Sequence, residues 1–475
     1  MTENNVLNPK NAVLNDNTKI VRTDEGAVDG QNKCPKCGAT DISMNPENAL
    51  LRCNFCRHEF EPEKAAGLET DLSKITGQVI GSGAQDIIAD ISDVLTFKCG
   101  SCAAEVVIDT SESAQARCHW CRNMLSVNQQ IPNGSIPDVV LPFNLKKDEA
   151  KSEIEKFVGK RKFFAHPKFK EEFSTQNVMG AYLPYMVVDV NSHAKLTGQG
   201  EVQTRRYTQG TGNEQKTYYD ADLYDVKREF DLVVDGLTVE SSFDKLQLNS
   251  SGKTNNIINS IMPFDTENCV KWNANYLRGY TSEKRDTNTD QLRGLVDTQT
   301  KDIARHKANE TLKAYDRGVR WHSEELEVKG QQWKAAYLPV WLYSYQQVKD
   351  SGKNLLHYVA VNARTKETMG SVPIHKPKLF LISLLVGLFG FISSIIASLF
   401  TDSEYVWLLF LAGVLYYGFI YLRYRNTNAR HRHESETNAT MENVLQSDVF
   451  NKKLTGLSNS KMNGANNFSV SKRII

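Results

Sequence analysis

The sequence lacks an excess of charge of either sign. Its 475 residues include 57 Lys and Arg against 56 Asp and Glu, so the formal net charge is +1 at pH 7. A polyanion is bound chiefly through a cationic surface, so the overall charge points to no polyanionic partner. With 40% hydrophobic and 24% charged residues the composition is that of a globular protein, and the length allows roughly three domains.

The first 31 residues lack the apolar core of a signal peptide and are rich in Asn and Asp. We therefore expect a disordered segment at 1–31 and a chain that is not exported, whose thiols stay reduced. Residues 433–475 are rich in Asn and Ser and are predicted to form a second disordered tail.

Recognisable catalytic motifs are also missing. Gly252-Lys253-Thr254 resembles the end of a phosphate-binding loop, but Gln247 stands where that loop requires glycine. Cys269 is a lone cysteine, more typical of a small core residue than of a nucleophile. The histidines between residues 136 and 372 follow no metal-ligand or triad spacing. The sequence predicts that the protein is not an enzyme.

What the chain does have is a duplicated cysteine pattern. Two cysteines separated by two residues can bind one ion from a single turn, and two such turns complete a tetrahedral shell of four sulfurs. The spacing C-x2-C-x15-C-x2-C occurs twice, at Cys34, Cys37, Cys53 and Cys56 and again at Cys99, Cys102, Cys118 and Cys121. We predict two structural zinc ions, held in zinc ribbons at 32–61 and 97–128.

Two other readings of these motifs are open. A pair of disulfide-stapled modules would require an oxidising compartment. His58 and His119 lie beside the cysteines, but each set already offers four sulfurs, so both are interpreted as surface or supporting residues. About 30 residues cannot bury enough apolar surface to fold alone, whereas structural zinc contributes about 10–16 kcal/mol. We therefore expect two independent, metal-dependent modules.

Two long apolar runs occupy the C-terminal part. Residues 379–400 and 405–422 contain no charged side chain, and each is long enough to cross a hydrocarbon core of about 30 Å as a helix. A transport path usually contains ionisable residues, so the pair is predicted to be an anchor. The competing interpretation is a helical hairpin buried in a soluble core.

The flanking charges predict the orientation of this anchor. Lys376 and Lys378 precede the first run, and Arg423 and Arg425 follow the second, whereas the linker at 401–404 carries only acidic charge. The positive-inside rule then gives a transmembrane hairpin at 379–422 in the cell membrane, with both termini in the cytoplasm.

The large region between ribbons and anchor, 136–372, mixes helical and strand-like patterns and is predicted to be an α+β body. It contains two similar motif pairs: LPF at 141–143 with AYLP at 181–184, and MPF at 262–264 with AYLP at 336–339. Their order predicts two related halves. The linker at 62–96 is predicted to hold short helices, interrupted by a flexible break at Gly81-Ser82-Gly83.

Several stretches are similar to those of TFIIB-type zinc ribbon-containing bacterial membrane proteins. The similar stretches are CPKCG at 34–38, LPF at 141–143, FFAHPKF at 163–169, GAYLPYMVVD at 180–189, MPFD at 262–265, NYLRGYTSEKRD at 275–286, YLPVWLYSY at 337–345 and YVAVNARTKETMGSVP at 358–373. Some members of that family carry the label primosomal protein N′-like, but this chain lacks the nucleotide-binding loop of a helicase motor. The resemblance implies a zinc-binding, membrane-anchored cytoplasmic protein but indicates no activity.

Two functions are compatible with these features. The first is a membrane-anchored adaptor or scaffold that presents a cytoplasmic platform to protein partners, in envelope maintenance or stress signalling. The second is a membrane-tethered nucleic-acid-binding protein, in which Arg57 and Arg122 contact phosphates and Phe55 and Trp120 stack on bases. The adaptor is favoured because the basic residues are scattered rather than gathered in a patch. The sequence does not determine the oligomeric state.

Overall fold

The structure is a computed structural model. It describes residues 18–23, 33–45, 48, 50–62, 71–88, 90–111, 113–118, 120–127, 129–209, 216–242, 261–348, 354–370, 372–399, 411–428, 454–458 and 467–474. Gly252-Lys253-Thr254 and His119 lie outside these residues.

The described residues confirm the predicted α+β class, with strands predominating. The helices are α1 Lys147–Gly159, α2 Pro167–Glu172, α3 Thr289–Glu310, α4 Lys376–Ser398 and α5 Ala412–Asn428. The strands are β1 Thr18–Val21, β2 Ile42–Met44, β3 Leu51–Cys53, β4 Glu59–Phe60, β5 Gly77–Gly81, β6 Val94–Lys98, β7 Glu105–Asp109, β8 Gln115–Arg117, β9 Met124–Ser126, β10 Val139–Val140, β11 Met179–Gln209, β12 Lys216–Glu240, β13 Val270–Lys271, β14 Thr281–Ser282, β15 Val319–Val348, β16 Asn354–Asn362, β17 Thr368–Gly370, β18 Leu454–Ser458 and β19 Asn467–Ile474.

Three very long strands form the centre of one twelve-stranded sheet. β11 has 31 residues, β15 has 30 and β12 has 25. They pair antiparallel in the order β15-β11-β12. At about 3.3 Å per residue, β11 is about 100 Å long. Register shifts near Val188 and Gln203 interrupt its ladder with β12, as β-bulges do in long twisted sheets.

Helix α3 covers one face of this sheet. It begins with a capping box in which Asn288 and Gln291 satisfy each other's backbone N–H groups. Its apolar stripe includes Leu292, Val296 and Ile303, all fully buried. The stripe packs against buried residues of the strands, and together they form one continuous hydrophobic cluster. The spacing of these apolar residues in the sequence is that of an amphipathic helix.

The linker between the ribbons differs from the prediction. Besides short helices the linker contains β5, which pairs in parallel with both β1 and β15, so this segment enters the main sheet. Short 3-10 helices at Leu72–Lys74 and Ser82–Ala84 flank β5. The spacing of Ile75 and Val79 fits a helix, but both side chains are buried by tertiary packing on the body, which overrides a weak local pattern.

The segments predicted to be disordered contain strands where the structure describes them. β1 lies within 1–31 and pairs with β5, while β18 and β19 lie within 433–475 and pair with β12. Composition predicted disorder because it measures the average polarity of a segment. A strand of four to eight residues that completes an existing sheet edge needs little apolar surface of its own.

Within the described residues one helix, α4, is long and apolar enough to cross a bilayer. The other apolar stretch, Ala412–Leu422 within α5, is shorter than a span requires. The structure thus supports one span of the predicted hairpin, and residues 405–410 of the second predicted run lie outside the described residues. Helix α5 packs against α4, with Gly413 lying beside Gly387.

Candidate metal centres

Each predicted cysteine set converges to a point. In both sets the four sulfur atoms lie within 4.8 Å of one another. Cys34 and Cys56 sulfurs are 3.7 Å apart, and those of Cys102 and Cys118 are 3.6 Å apart. A tetrahedral ion with Zn–S bonds of about 2.3 Å requires sulfur separations of about 3.8 Å. The two sets can thus hold two metal ions and are consistent with two zinc sites.

The disulfide alternative does not fit this arrangement. All eight cysteines are free thiols, and so is Cys269. A disulfide requires sulfurs about 2.05 Å apart, far below the observed separations. Cys269 is remote from both sets in the chain, and it packs against a hydrophobic cluster of the main sheet.

Four equivalent backbone turns present the sulfurs. Each turn contains two cysteines, and the residue after the second donates its backbone N–H to the carbonyl of the first. Gly38 donates to Cys34 at 2.8 Å, and Ala103 donates to Cys99 at 2.7 Å. That residue has a positive φ in all four turns: 70° at Gly38, 56° at Arg57, 59° at Ala103 and 59° at Arg122. A positive φ is unfavourable for the three residues other than glycine. Their turns therefore hold local backbone strain, and in this conformation both sulfurs of a turn point the same way.

Backbone N–H groups also favour ionised sulfur. The N–H of Cys121 is the main cause that lowers the pKa of the Cys118 thiol, to about 7. For Cys121, the N–H of Asn123 acts in the same direction, but burial and the neighbouring sulfurs raise its pKa to about 12. Four adjacent thiols cannot all ionise alone, because their charges repel. A divalent cation would hold all four as thiolates and release their protons.

The histidine beside the first set does not join it. The His58 ring stacks on Phe60, with centroids 6.0 Å apart. The backbone carbonyl of His58 accepts a hydrogen bond from the backbone N–H of Cys53 at 2.9 Å. His58 therefore supports the turn through its backbone, while His119 lies outside the described residues.

Large aromatic side chains project from equivalent places in the two ribbons. Phe55 is 80% exposed and Trp120 is 73% exposed, each between the last two cysteines of its set. By contrast, Leu51 and Leu125 of the same ribbons are buried. Burial of such rings stabilises a complex strongly, and exposed aromatics are over-represented at binding surfaces.

The ribbons are not independent of the body. Ile42 and Leu51 of the first ribbon and Ile108 and Leu125 of the second belong to one hydrophobic cluster with body residues such as Phe143. Arg278 of the body donates hydrogen bonds to Asp41 and to the Ile42 carbonyl. The prediction of two separate modules is therefore corrected: both ribbons complete the core of the body.

Arg117 of the second ribbon also acts on the first. Burial disfavours ionisation of Asp41, but hydrogen bonds from Arg278 and Asn54 and the nearby charge of Arg117 hold the pKa of this carboxyl below its usual range. The ribbons are thus close enough to interact electrostatically.

A buried polar network behind the ribbons was not predicted. Asp138, which is fully buried, accepts hydrogen bonds from the backbone N–H of Gly83 at 2.6 Å and of Ala335 at 2.8 Å, and from the Thr23 hydroxyl. Burial raises the pKa of Asp138, although these donors oppose the rise. The network ties the linker to the main sheet.

Buried Arg285 fixes the other side of this linker. Its guanidinium donates to the Gly83 and Gln85 carbonyls and to the Thr287 carbonyl at 2.7 Å. Burial lowers its pKa to about 10, against the nearby charge of Asp138. The sequence offered one signal for this arrangement, the run Gly81-Ser82-Gly83, whose small residues leave room for a close approach.

Comparison with known proteins gives no further assignment: no family model, no curated protein and no solved structure matches this chain.

Proposed function

We propose that this protein is a membrane-anchored zinc-binding adaptor that presents its two ribbons to a protein partner at the cytoplasmic face of the membrane. The observation that carries the proposal is the pair of exposed rings, Phe55 and Trp120, at equivalent turns of the two ribbons. Buried apolar residues pack each ribbon against the body, whereas these rings are accessible, as expected of anchors for a partner.

We propose zinc as the metal in both cysteine sets. Sulfur separations of 3.5 Å for Cys99 and Cys121 and 3.6 Å for Cys37 and Cys53 support tetrahedral coordination. Four sulfurs leave no open ligand position, which favours a structural role over a catalytic one. The zinc ions would hold the turns that carry Phe55 and Trp120 in place.

The anchor is proposed to consist of α4 and a second span that includes α5, with both termini in the cytoplasm. The close approach of Gly413 to Gly387 supports a hairpin, because small residues allow helices to pack closely in a bilayer. The basic residues on its two flanks support the orientation. This anchor, the ribbons and the similar sequence stretches together support membership of the TFIIB-type zinc ribbon-containing membrane protein family.

A protein partner fits the charge of the ribbons better than nucleic acid. Residues 32–61 carry four basic and four acidic side chains, and residues 97–128 carry three of each. Binding to a polyanion depends on neutralising phosphates with a net cationic surface. The ion pair of Arg52 with Glu59, at 4.0 Å, further reduces the positive charge available in the first ribbon.

Nucleic-acid binding remains the second candidate, because one observation favours it. Arg57 and Arg122 follow the exposed rings within two residues and are themselves exposed. An aromatic ring beside a guanidinium is a suitable platform for an unpaired base and its phosphate.

The test uses the full-length protein in lipid nanodiscs as bait for membrane extracts of its source. We expect a specific partner that is retained by the wild type and lost from the double variant Phe55→Ala/Trp120→Ala. The matched control is Val94→Ala/Val107→Ala, which removes two other exposed apolar side chains, on β6 and β7, 50% and 59% exposed. Retention by both variants would refute the proposed surface.

The same variants separate the two candidate functions. Fluorescence anisotropy with single- and double-stranded DNA and RNA at about 50 mM salt should show no binding by the adaptor. Micromolar binding that weakens steeply with salt, and that Phe55→Ala/Trp120→Ala abolishes, would replace the adaptor with the nucleic-acid-binding function.

A further inference from the structure

The fold brings a basic segment from the middle of the chain to the base of the membrane helix. The backbone N–H of His166 donates to the Pro373 carbonyl at 2.8 Å, and that of His375 donates to the Phe164 carbonyl at 2.8 Å. Ala165 and Ile374 form an antiparallel bridge. Residues 160–170 are therefore fixed beside the first turn of α4, more than 200 positions away in the chain.

This junction carries a group of lysines that we term the cationic collar. Its members are Lys160, Lys162, Lys168, Lys170, Lys376 and Lys378. In the part of the chain that the structure describes, no ion pair within 4.0 Å joins any of them to a carboxylate. From Phe157 to Lys170 the sequence contains no acidic residue. The six positive charges of the collar thus form no ion pair in the described part of the chain, although Glu171 and Glu172 follow Lys170.

Two of these ammonium groups are held close together. Lys378 and Lys170 both donate to the Phe163 carbonyl oxygen, at 2.8 Å and 3.3 Å. Burial, with the charges of Lys378 and Lys162, lowers the pKa of Lys170. An external anion at this point would relieve the mutual repulsion of these charges.

An exposed aromatic side chain lies within the collar. Phe163 is 59% exposed, and the ammonium of Lys378 lies 4.1 Å from its ring centroid. Its neighbour Phe164 turns inward instead and packs with Leu379 of α4. Lysines around an outward aromatic ring, at the level where a helix enters the bilayer, form the composition of a membrane interface.

We propose that the cationic collar binds the anionic headgroups of phospholipids in the bilayer that α4 enters, with Phe163 inserted among them. The inference rests on the proposed membrane anchoring and adds a second contact, one that presses the body against the membrane surface. A dissolved phosphate would use the lysines but gain nothing from Phe163. The exposed ring and its position beside α4 therefore favour lipid as the source of the anion.

The test places a photo-crosslinker, p-benzoylphenylalanine, at position 163 of the full-length protein. The protein is reconstituted in nanodiscs of phosphatidylcholine with about a third phosphatidylglycerol, irradiated, and its lipid adducts are counted by mass spectrometry. We expect phosphatidylglycerol to be enriched in the adducts several-fold over its share of the bilayer. Lys162→Gln/Lys170→Gln/Lys378→Gln should remove the enrichment, since each cation near an anionic surface is worth about fivefold in binding.

The matched control removes the same charge elsewhere. Lys147, Lys216 and Lys313 are exposed lysines, and Lys147→Gln/Lys216→Gln/Lys313→Gln should leave the enrichment intact. Adducts with both lipids in their bulk ratio would overturn the proposal. Loss of the enrichment on adding inorganic phosphate at constant ionic strength would also overturn it, in favour of a small-anion site.

A second crosslinker position separates this proposal from the membrane anchor itself. Phe389 lies on α4 and is 73% exposed, so p-benzoylphenylalanine there should form lipid adducts wherever α4 is inserted. Adducts at 389 without adducts at 163 would refute the collar alone. No adducts at 389 would refute the anchor on which it rests.

Discussion

Leu183 and Leu338, the leucines of the two AYLP motifs, lie directly opposite each other where β11 and β15 pair antiparallel. Both are fully buried. The neighbours follow the same rule, because Tyr182 faces Pro339 and Pro184 faces Tyr337. The motifs are thus related by a local two-fold axis between the leucines. The symmetry is only local, since β11 extends mainly after its motif and β15 mainly before it.

The shared core of the ribbons predicts coupling between metal and body. The full-length protein should contain two zinc ions, and Cys34→Ser should leave one. The change should also raise hydrogen exchange at 274–277, because β2 of the first ribbon packs against that turn. Elemental analysis and hydrogen–deuterium exchange give the two readouts.

The control for this prediction is Cys269→Ser, which lies outside both cysteine sets and should keep two zinc ions. Unchanged exchange at 274–277 in Cys34→Ser would show that the ribbon folds and unfolds independently of the body.

The positive φ of Ala103 predicts that Ala103→Gly stabilises the second ribbon. Its φ of 59° is unfavourable for alanine but not for glycine, and relief of this strain is worth about 1 kcal/mol. The opposite change, Gly38→Ala at φ 70°, should destabilise the first ribbon by a similar amount, because open space around Gly38 leaves backbone strain as the only cost. Resistance to zinc removal by a chelator should rise in the first variant and fall in the second; the same direction in both would contradict the argument.

The buried carboxyl of Asp138 predicts a large effect of a small change. Asp138→Asn replaces one of the two accepting oxygens with an NH2 group, which then faces the N–H of either Gly83 or Ala335, and should cost about 3 kcal/mol in the free energy of unfolding. Urea denaturation followed by fluorescence of buried Trp333 measures this. Asp148→Asn, at a side chain that is 91% exposed, should cost under about 0.5 kcal/mol. Equal costs would argue against the network.

The histidine on β11 predicts a pH-dependent contribution to stability. His193 Nδ1 lies 2.7 Å from an oxygen of Asp231. The hydrogen bond to Asp231 is the main cause that raises the pKa of His193, and Glu229 adds to it. The protonated form is therefore favoured in the folded state. Its stabilising effect is complete below the unfolded pKa of about 6.5 and is lost as pH rises through the folded value.

The corresponding measurement compares the free energy of unfolding of wild type and His193→Gln between about pH 5 and 9. The difference should be largest at the acidic end and shrink toward the alkaline end. A difference that grows with pH would mean that His193 is stabilising in its neutral form.

Contact between the two apolar helices predicts different responses from two glycines of α5. A Cβ at Gly413 would lie 2.5 Å from the Ser383 carbonyl oxygen, whereas a Cβ at Gly418 meets nothing within 4 Å. Gly413→Ala should therefore separate α4 from α5 and lower the thermal stability of the protein in nanodiscs. Gly418→Ala should leave it unchanged, and equal behaviour of the two variants would contradict the observed packing.

The parts that could be predicted from the sequence are those where chemistry fixes the spacing. Two cysteines at i and i+3 have one common use in a reduced chain, so both sulfur sets were found by residue. The repeated AYLP motif was found because its four residues are identical in the two copies. That the two copies would face each other could not be predicted, since strand pairing depends on distant parts of the chain.

Other features depend on tertiary contacts that leave little local trace. Gly81 was interpreted as part of a flexible break, but a Cβ there would lie 2.4 Å from the Asp138 carboxylate. The glycine is thus required by close packing, not by flexibility. Similarly, residues 319–335 of β15 were not predicted as a strand because they carry many charges. They form one because an antiparallel sheet with one solvated face tolerates charged side chains on that face. The contact between residues 160–170 and the start of α4 likewise depends on tertiary structure and could not be predicted from the local sequence.

The uninterrupted course of β11 through the sheet has a mechanical consequence. The strand runs about 100 Å from Met179 to Gln209, where it pairs with the start of β12. A pull between these ends runs along the strands and loads the backbone hydrogen bonds of the ladder sideways, many at once. We therefore expect the sheet to resist a pull along its length with little stretching.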